Sequence, residues 1–267
     1  MRKFLYSLIL IVALLGIYAR HYEHKKLIHE EYTVETSIIP DSFDSFKIVH
    51  FTDFLFPNTT SIEYLNTLVK KINKMNPDII VFTGNLIDKN HQISVKNKNK
   101  IIEALSKLKP SLQKLAIYGN HDLKQKDIYE SILEESNFIL IDDEEHLLFY
   151  KDNQPIKVIN YRKETTIEEN EEYEGTYNVV LIHKPDSVSD IEDINHIYLA
   201  GHSLGGHVNL FVTDPLIKKE GAETYIKGKY KLNYGLLFVS SGIGTDNIKF
   251  RFMNYPSFNV YTIKKTT

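Results

Sequence analysis

Five short polar clusters stand where apolar segments of this chain end. They are Asp53; Gly84-Asn85-Leu86-Ile87-Asp88; Gly119-Asn120-His121-Asp122; His183; and Gly201-His202-Ser203-Leu204-Gly205-Gly206-His207. Their polar members are Asp, Asn and His, hard-to-borderline donors that suit a divalent ion such as Mn, Fe or Zn. Each has an ordinary explanation taken alone: Asp53 as a helix cap, Asn85 and Asn120 as turn residues, Gly205-Gly206 as a tight turn. A single histidine at a strand end is most often a satisfied structural group. Five such clusters in succession point instead to one shared site, because ligands of open α/β sheets bind beyond the carboxyl ends of the strands.

The last cluster also matches G-x-S-x-G, the turn that presents the nucleophilic serine of α/β-hydrolases, which makes a serine hydrolase at Ser203 a remote alternative. Three features oppose it. That fold places its histidine after the serine, and no histidine follows His207. His207 is too close to Ser203 in sequence to belong to a separate loop. The turn should open a helix, yet Val208-Asn209-Leu210-Phe211-Val212-Thr213 is strand-like and leads into Pro215.

The elements that must hold these clusters alternate in the first half of the chain. Phe46 to Thr52, Asp78 to Thr83 and Lys114 to Tyr118 are short apolar runs read as buried strands. Between them, Thr60-Ser61-Ile62-Glu63 resembles a capping box, and Ile62, Leu65, Leu68, Val69 and Ile72 share one helical face. Lys100 to Leu108, stopped by Pro110, and Asp127 to Asn137 read as two further helices. Phe138 to Asn160 suggests strands about the turn Asp152-Asn153-Gln154-Pro155. The acidic stretch Glu164 to Glu174 reads as a solvated loop or helix face. Strands are expected again at Asn178 to Ile182, Ile194 to Ala200, Leu236 to Ser240 and Phe258 to Ile263. The pattern predicts an α/β fold of two sheets with outer helices in one domain.

With 267 residues the chain is long enough to bury a sizeable core. A net charge of -3 and the lack of a basic stripe argue against nucleic acid as a partner. Cysteine is absent, which excludes disulfides and thiolate metal ligands. At the N-terminus, Arg2 and Lys3 precede an apolar run from Phe4 to Ala19 broken only by Ser7 and Gly16. Ile17-Tyr18-Ala19 is a poor cleavage site, which favours an uncleaved signal-anchor helix over a cleaved signal or a core helix. Residues 1–22 are therefore expected as a single-pass anchor in the cell membrane, 23–44 as a polar linker and 45–267 as one domain. Basic residues on both flanks leave the orientation rule nearly silent, and the domain is expected on the extracytoplasmic side.

Taken in order, the five clusters resemble those of the calcineurin-like metallophosphoesterases, above all the membrane-anchored subgroup with a GHTHGGQ-type final motif. The resemblance runs from Phe46 to the C-terminus and includes Ser241-Gly242-Ile243-Gly244-Thr245 and Arg251. It implies a four-layer α/β/β/α sandwich of two mixed sheets, the metallo-dependent phosphatase-like fold. It also implies two metal ions clamping a phosphoester for in-line hydrolysis.

Carried over by position, the resemblance makes Asp53, Asn85, Asn120, His183 and His202 the metal ligands. His121 is then the acid at the leaving oxygen, and Asp122 orients it. The family histidine positions in the first and last motifs hold Leu55 and Leu204, and the bridging aspartate position holds Asn85. Leucine has no donor atom, and an amide lacks the charge that holds a divalent ion. The site is thus expected to bind at most one ion, or none, and to be inactive or weakly active, with the two leucines filling the first-metal position. Three functions follow: a pseudoenzyme that binds a phosphate-bearing small molecule, lipid headgroup or protein; a single-metal phosphoesterase using His121 as acid; or a purely structural anchored domain. His207 is expected as a hydrogen-bonding histidine rather than a replacement ligand, and His91 as a polar residue near the site.

Overall fold

Segments such as Ile79–Phe82 and Asn178–Ile182 are nearly continuous apolar runs, the composition of strands covered on both faces. In the computed structural model, which describes residues 1–142, 145–161, 175–191, 196–209, 215, 217–247 and 249–266, they lie in two mixed sheets. The first sheet is ordered β1 (Ile28–Thr36), β12 (Ser257–Lys265), β2 (Lys47–Phe51), β3 (Ile79–Phe82), β4 (Gln113–Ala116) and β5 (Ile139–Leu140). The second is ordered β10 (Gly228–Leu232), β11 (Gly235–Val239), β9 (His196–Ala200), β8 (Asn178–Ile182), β7 (Ile156–Asn160) and β6 (Glu145–Leu148).

Burial of apolar faces fixes the layers. Ile48, Ile79, Val81 and Leu115 of the first sheet meet Val158, Val179, Leu181 and Leu199 of the second in one core. On the outer face of the first sheet, helices α2 (Ile62–Asn73), α3 (Val95–Leu105) and α4 (Lys126–Glu135) bring Leu65, Leu68, Ile101, Ile132 and others against Phe51, Ile80 and Phe82. On the outer face of the second, Val188 of the short helical turn Pro185–Asp190 and Ile191 just after it pack on Val180, Ile182 and Tyr198. These are the four expected layers.

Register positions the site. Phe51 is level with Phe82 and Phe82 with Ala116; in the other sheet Ile182 is level with Ala200 and Ala200 with Val239. The loops after β2, β3, β4, β8, β9 and β11 therefore leave both sheets abreast, at their carboxyl ends.

Several sequence expectations need correction. The segment 23–44, read as a linker, contains β1, which pairs parallel with β12 over its nine residues. Its alternating polar residues hid an edge strand whose inward Tyr32 packs 4.9 Å from the Phe238 ring. The cap of α2 is Ser61, not Thr60: its hydroxyl accepts the Tyr64 N–H at 3.2 Å. Helix α3 starts earlier than expected, after Ser94, which accepts from Asn97 N–H. β10 carried charged residues and was not anticipated. Glu164 to Glu174, the first residues of the strand expected from Ile194, and Leu210 to Thr213 lie outside the described residues.

Helix α1 (Arg2–His21) has 20 residues, about 30 Å at 1.5 Å per residue, which is long and apolar enough to cross a membrane. It is not loosely tethered. The Arg251 N–H donates to Ala19 O at 3.3 Å, the Asn254 N–H to Glu23 Oε1 at 2.8 Å, and the Tyr64 hydroxyl to His24 O at 3.3 Å.

His50 in β2 is fully buried between Thr83 Oγ1 at 2.8 Å and the Tyr261 hydroxyl at 3.4 Å. Burial lowers its pKa from 6.5 to about 3. Below pH 6.5 the unfolded chain takes up a proton that the folded chain refuses, so stability falls as pH drops from 6.5 toward 3. His207, lowered by burial to about 4, acts in the same direction. Each contributes a slope of about 1.4 kcal/mol per pH unit. Urea unfolding of His50→Gln between pH 6 and 4 should show a slope shallower by about that amount; an unchanged slope would mean that His50 is charged in the fold.

Candidate functional site

At the centre stands Asn85, after β3. Its amide nitrogen donates to Asp53 Oδ1 at 2.8 Å, Asn120 Oδ1 at 3.2 Å and His183 Nε2 at 3.0 Å. Its Oδ1 accepts the His121 N–H at 2.8 Å, which fixes the orientation of the amide: nitrogen inward, oxygen outward. Asn85 therefore turns a donor toward the groups expected as metal ligands. The structure brings Asp53, Asn85, Asn120 and His183 into direct contact.

Asp53 is fully buried, and both of its oxygens are engaged. Oδ1 takes the Asn85 amide, while Oδ2 accepts Thr52 Oγ1–H at 2.9 Å and the His202 N–H at 2.7 Å. Burial pushes its carboxyl up, but His183, Lys219, His202 and the Asn85 hydrogen bond outweigh that and hold it below the usual carboxylate range.

Backbone carbonyls set both histidine tautomers. His183 Nδ1–H donates to Thr83 O at 2.7 Å, leaving Nε2 unprotonated, an acceptor for the Asn85 amide and 2.9 Å from Asn120 Oδ1, acceptor facing acceptor. His202 Nε2–H donates to Glu220 O at 2.9 Å, leaving Nδ1 bare, buried and without a partner. The rings lie 5.0 Å apart, and burial lowers both pKa values, that of His202 to about 3, so both are neutral at pH 7. Neutral imidazoles anchored through their far N–H by carbonyls are prepared as metal donors.

Of the expected ligands, His202 Nδ1 is buried without a hydrogen-bond partner, His183 Nε2 and Asn120 Oδ1 face the Asn85 amide hydrogens, Asp53 is saturated, and Asn85 presents hydrogen. Among the described residues, no group of three His, Asp or Glu side chains is arranged to hold a metal.

Leu55 and Leu204 are both fully buried and flank one loop: a Cβ added at Gly242 would lie 3.2 Å from Leu204 Cδ2, and one at Gly244 would lie 3.0 Å from Leu55 Cβ. Neither belongs to an apolar core cluster; they sit among polar loops. Their backbones are left-handed, at φ 53° and 52°, as are Asp53, Asn85, His202 and His207. That conformation is tolerated by Asn, Asp and His and is poor for leucine. Strained positions gather at functional sites, and the two leucines are such positions here. Gly84, at φ 92°, has no room for a side chain, since a Cβ would stand 2.1 Å from Gly119 N.

Asp122 is hydrogen-bonded to backbone N–H groups rather than to the imidazole expected as its partner. Its carboxylate accepts the N–H groups of Asn85 at 2.6 Å, Leu86 at 3.0 Å and Gly119 at 2.8 Å, so it ties the second and third loops together and does not touch the His121 ring. Burial pushes its carboxyl up to about 7 against the pull of those donors. The ring of His121 is set by the Lys89 N–H, which donates to Nδ1 at 3.1 Å. Nε2 therefore carries the proton, and it is buried without a hydrogen-bond partner. Its nearest acidic neighbour is Asp246 Oδ2, at 3.9 Å. Burial lowers the His121 pKa, and Nδ1 cannot gain a proton without facing the Lys89 N–H, so the ring is a neutral donor.

Other candidates stand aside. Ser203 is buried in helical conformation (φ -62°), and its hydroxyl accepts the Gly205 N–H at 3.1 Å, so it is no exposed elbow nucleophile. His207 lies against Phe250 O at 3.4 Å, a hydrogen-bonding histidine. His91 and Asp88 pair at 3.3 Å outside the Asn85 network. Thr52, the carbonyls of Thr83 and Glu220, Lys219 and Asp246 were missed; backbone groups leave no mark in a sequence, and Asp246 follows the noted Ser241–Thr245 run without a motif of its own.

The model of the family described as calcineurin-like phosphoesterase matches residues 46–237. A metallophosphoesterase of Bacillus subtilis, YkuE, is 31% identical over 93% of this chain and 90% of its own length. A second from the same organism, YkoQ, is 29% identical over 81% of this chain and 83% of its own. The UDP-2,3-diacylglucosamine pyrophosphatase LpxG of Chlamydia muridarum is 24% identical over 74% of this chain and 78% of its own.

Proposed function

The chain belongs to the calcineurin-like phosphoesterase family, whose reaction is metal-dependent phosphoester hydrolysis, and from that we propose that it is a membrane-anchored member that recognises a phosphoester without a two-metal centre. The observation that carries this reading is the Asn85 amide nitrogen, which donates to Asp53, Asn120 and His183 where a bridging carboxylate would have to accept cations. The two amide hydrogens, one of them shared, face three acceptors gathered around one point. Leu55 and Leu204 supply packing and no donor on the other flank.

A single divalent ion, with His183, His202 and Asn120 as its holders, would supply Lewis-acid polarisation of a phosphoryl oxygen. The bare, buried Nδ1 of His202 favours this second reading, a one-ion phosphoesterase. His121 donates its Nε2–H to an ester oxygen; as a neutral imidazole it orients and stabilises charge, and is a weak proton donor at pH 7.

Residues 1–22 are the anchor in this reading, and the docked helix end bears on the ligand. Arg251 receives α1 through its backbone N–H, while its guanidinium donates to Leu204 O at 3.4 Å in the last motif. One arginine side chain thus separates the end of the anchor from the site. Lipid-linked phosphates are the ligand class this arrangement favours, in keeping with a relative named for a diacylated sugar nucleotide.

Full-length protein in detergent, assayed on bis(p-nitrophenyl) phosphate with Mn or Zn, is expected to show no turnover above buffer. Turnover abolished by His121→Ala would replace this reading with the one-ion phosphoesterase.

A further inference from the structure

Next to the Asn85 network, two buried polar atoms lack partners: the Nε2–H of His121 and Oδ1 of Asp246. The other oxygen of Asp246 lies between two cationic or donor groups, 3.2 Å from Lys219 Nζ and 3.9 Å from His121 Nε2. The second distance is too long for a hydrogen bond, so the imidazole donor points at an acceptor it does not reach. Two donors converging on one anionic oxygen form the skeleton of an oxyanion site.

Lys219 is built into this arrangement. It opens a tight turn closed by the Ala222 N–H, which donates to Lys219 O at 2.9 Å. The next residue in that turn, Glu220, gives the carbonyl that fixes the His202 tautomer. The Lys219 side chain is 16% exposed, and its charge is felt by Asp53, His121, His183 and His202. The partner Asp246 is itself held from behind: Asn58 Nδ2–H donates to the carbonyls of Thr245 at 2.8 Å and Asp246 at 2.6 Å. The guanidinium of Arg251 is committed to carbonyl groups, so among the described residues beside Asp246 and His121 the Lys219 ammonium is a cation that can exchange its partner for an incoming anion.

We propose that Lys219 is the phosphoryl-binding cation of this site, and that Asp246 Oδ2 stands where a phosphoryl oxygen sits on binding, between the Lys219 ammonium and the His121 Nε2–H. This rests on the reading of the site as a phosphoester receptor and adds the residue that supplies positive charge where metal ligation is reduced. An arriving phosphoryl group takes both donors, and Asp246 turns toward solvent. No bond is made or broken; one ion pair exchanges for another.

The test is the binding of inorganic phosphate to the full-length chain in detergent micelles, followed by phosphorus NMR at low salt and pH 7.5. Lys219→Met should weaken binding about tenfold or more and flatten its salt dependence, while Lys219→Arg should stay within about threefold. Asp246→Asn, which removes the competing charge, should tighten binding about threefold to tenfold. Thermal midpoints of each variant separate lost binding from lost folding, and the arginine variant keeps the test valid if the methionine variant does not fold. If Lys219→Met binds like wild type while His121→Ala does not bind, the assignment of Lys219 is wrong and the receptor reading stands. If wild type binds no phosphate, the receptor reading itself fails. Weaker binding by Asp246→Asn would show that Asp246 positions Lys219 and does not compete with the ligand.

Discussion

The triple variant Leu55→His, Asn85→Asp, Leu204→His should bind two divalent ions per chain and hydrolyse bis(p-nitrophenyl) phosphate about 10²-fold or more above wild type. Lewis-acid stabilisation by a second ion is worth several kcal/mol, and each 1.4 kcal/mol is about tenfold. The backbone favours the change. Both leucines have φ near +50°, at 53° and 52°, a conformation that histidine accepts more readily. Asn85→Asp removes the hydrogens now directed at Asp53, Asn120 and His183 and sets a carboxylate 2.8 Å from Asp53 Oδ1. Two buried carboxylates at that distance repel, so without metal the variant should be less stable than wild type, and Mn or Zn should restore it. A variant that takes up no more metal than wild type would mean that the loops around Gly242 and Gly244 have repacked beyond side-chain repair.

Replacement of Arg251 should produce the largest loss of stability from a single change. The residue is fully buried, and its guanidinium donates to Ser241 O at 2.8 Å, Gly242 O at 3.2 Å, Gly244 O at 2.6 Å and Leu204 O at 3.4 Å. Burial lowers its pKa to about 10, so it remains charged at pH 7. These bonds clamp the loop after β11 to the loop after β9, and Gly242 in turn lies against Asp53. Arg251→Met keeps most of the volume and leaves the carbonyls of Ser241 and Gly244 short of donors, a cost of about 3 kcal/mol. Arg251→Lys should recover only part, because one ammonium cannot span carbonyls that the planar fork reaches together. Urea midpoints measure this; a loss below about 0.5 kcal/mol would show that water replaces the guanidinium.

Residue types alone locate the site but do not give its wiring. Asp53, Asn120, His183 and His202 are legible because polar residues after apolar runs are conspicuous, and the register of the strands does bring their loops abreast. The bond that decides the reading, Asn85 Nδ2–H to Asp53, is a matter of which end of an amide points inward, and that is set by a backbone N–H at His121. Asp122 looked like a partner for its neighbour His121, yet adjacency in a turn sends the two side chains to different loops. Tyr32 and Val34 of β1 were overlooked because an edge strand needs only one apolar face, and its outward residues are charged. Lys219 and Asp246 carry no spacing signal; they meet because two long loops fold over the same strand ends.

Metal content tests the central claim most directly. Wild-type chain equilibrated with excess Mn or Zn, desalted and analysed by inductively coupled plasma mass spectrometry should retain no more than one ion per chain, and a mild chelator should remove it. Two ions retained through chelation would contradict the account, because Asn85 would then have to turn its oxygen inward and give up the His121 N–H.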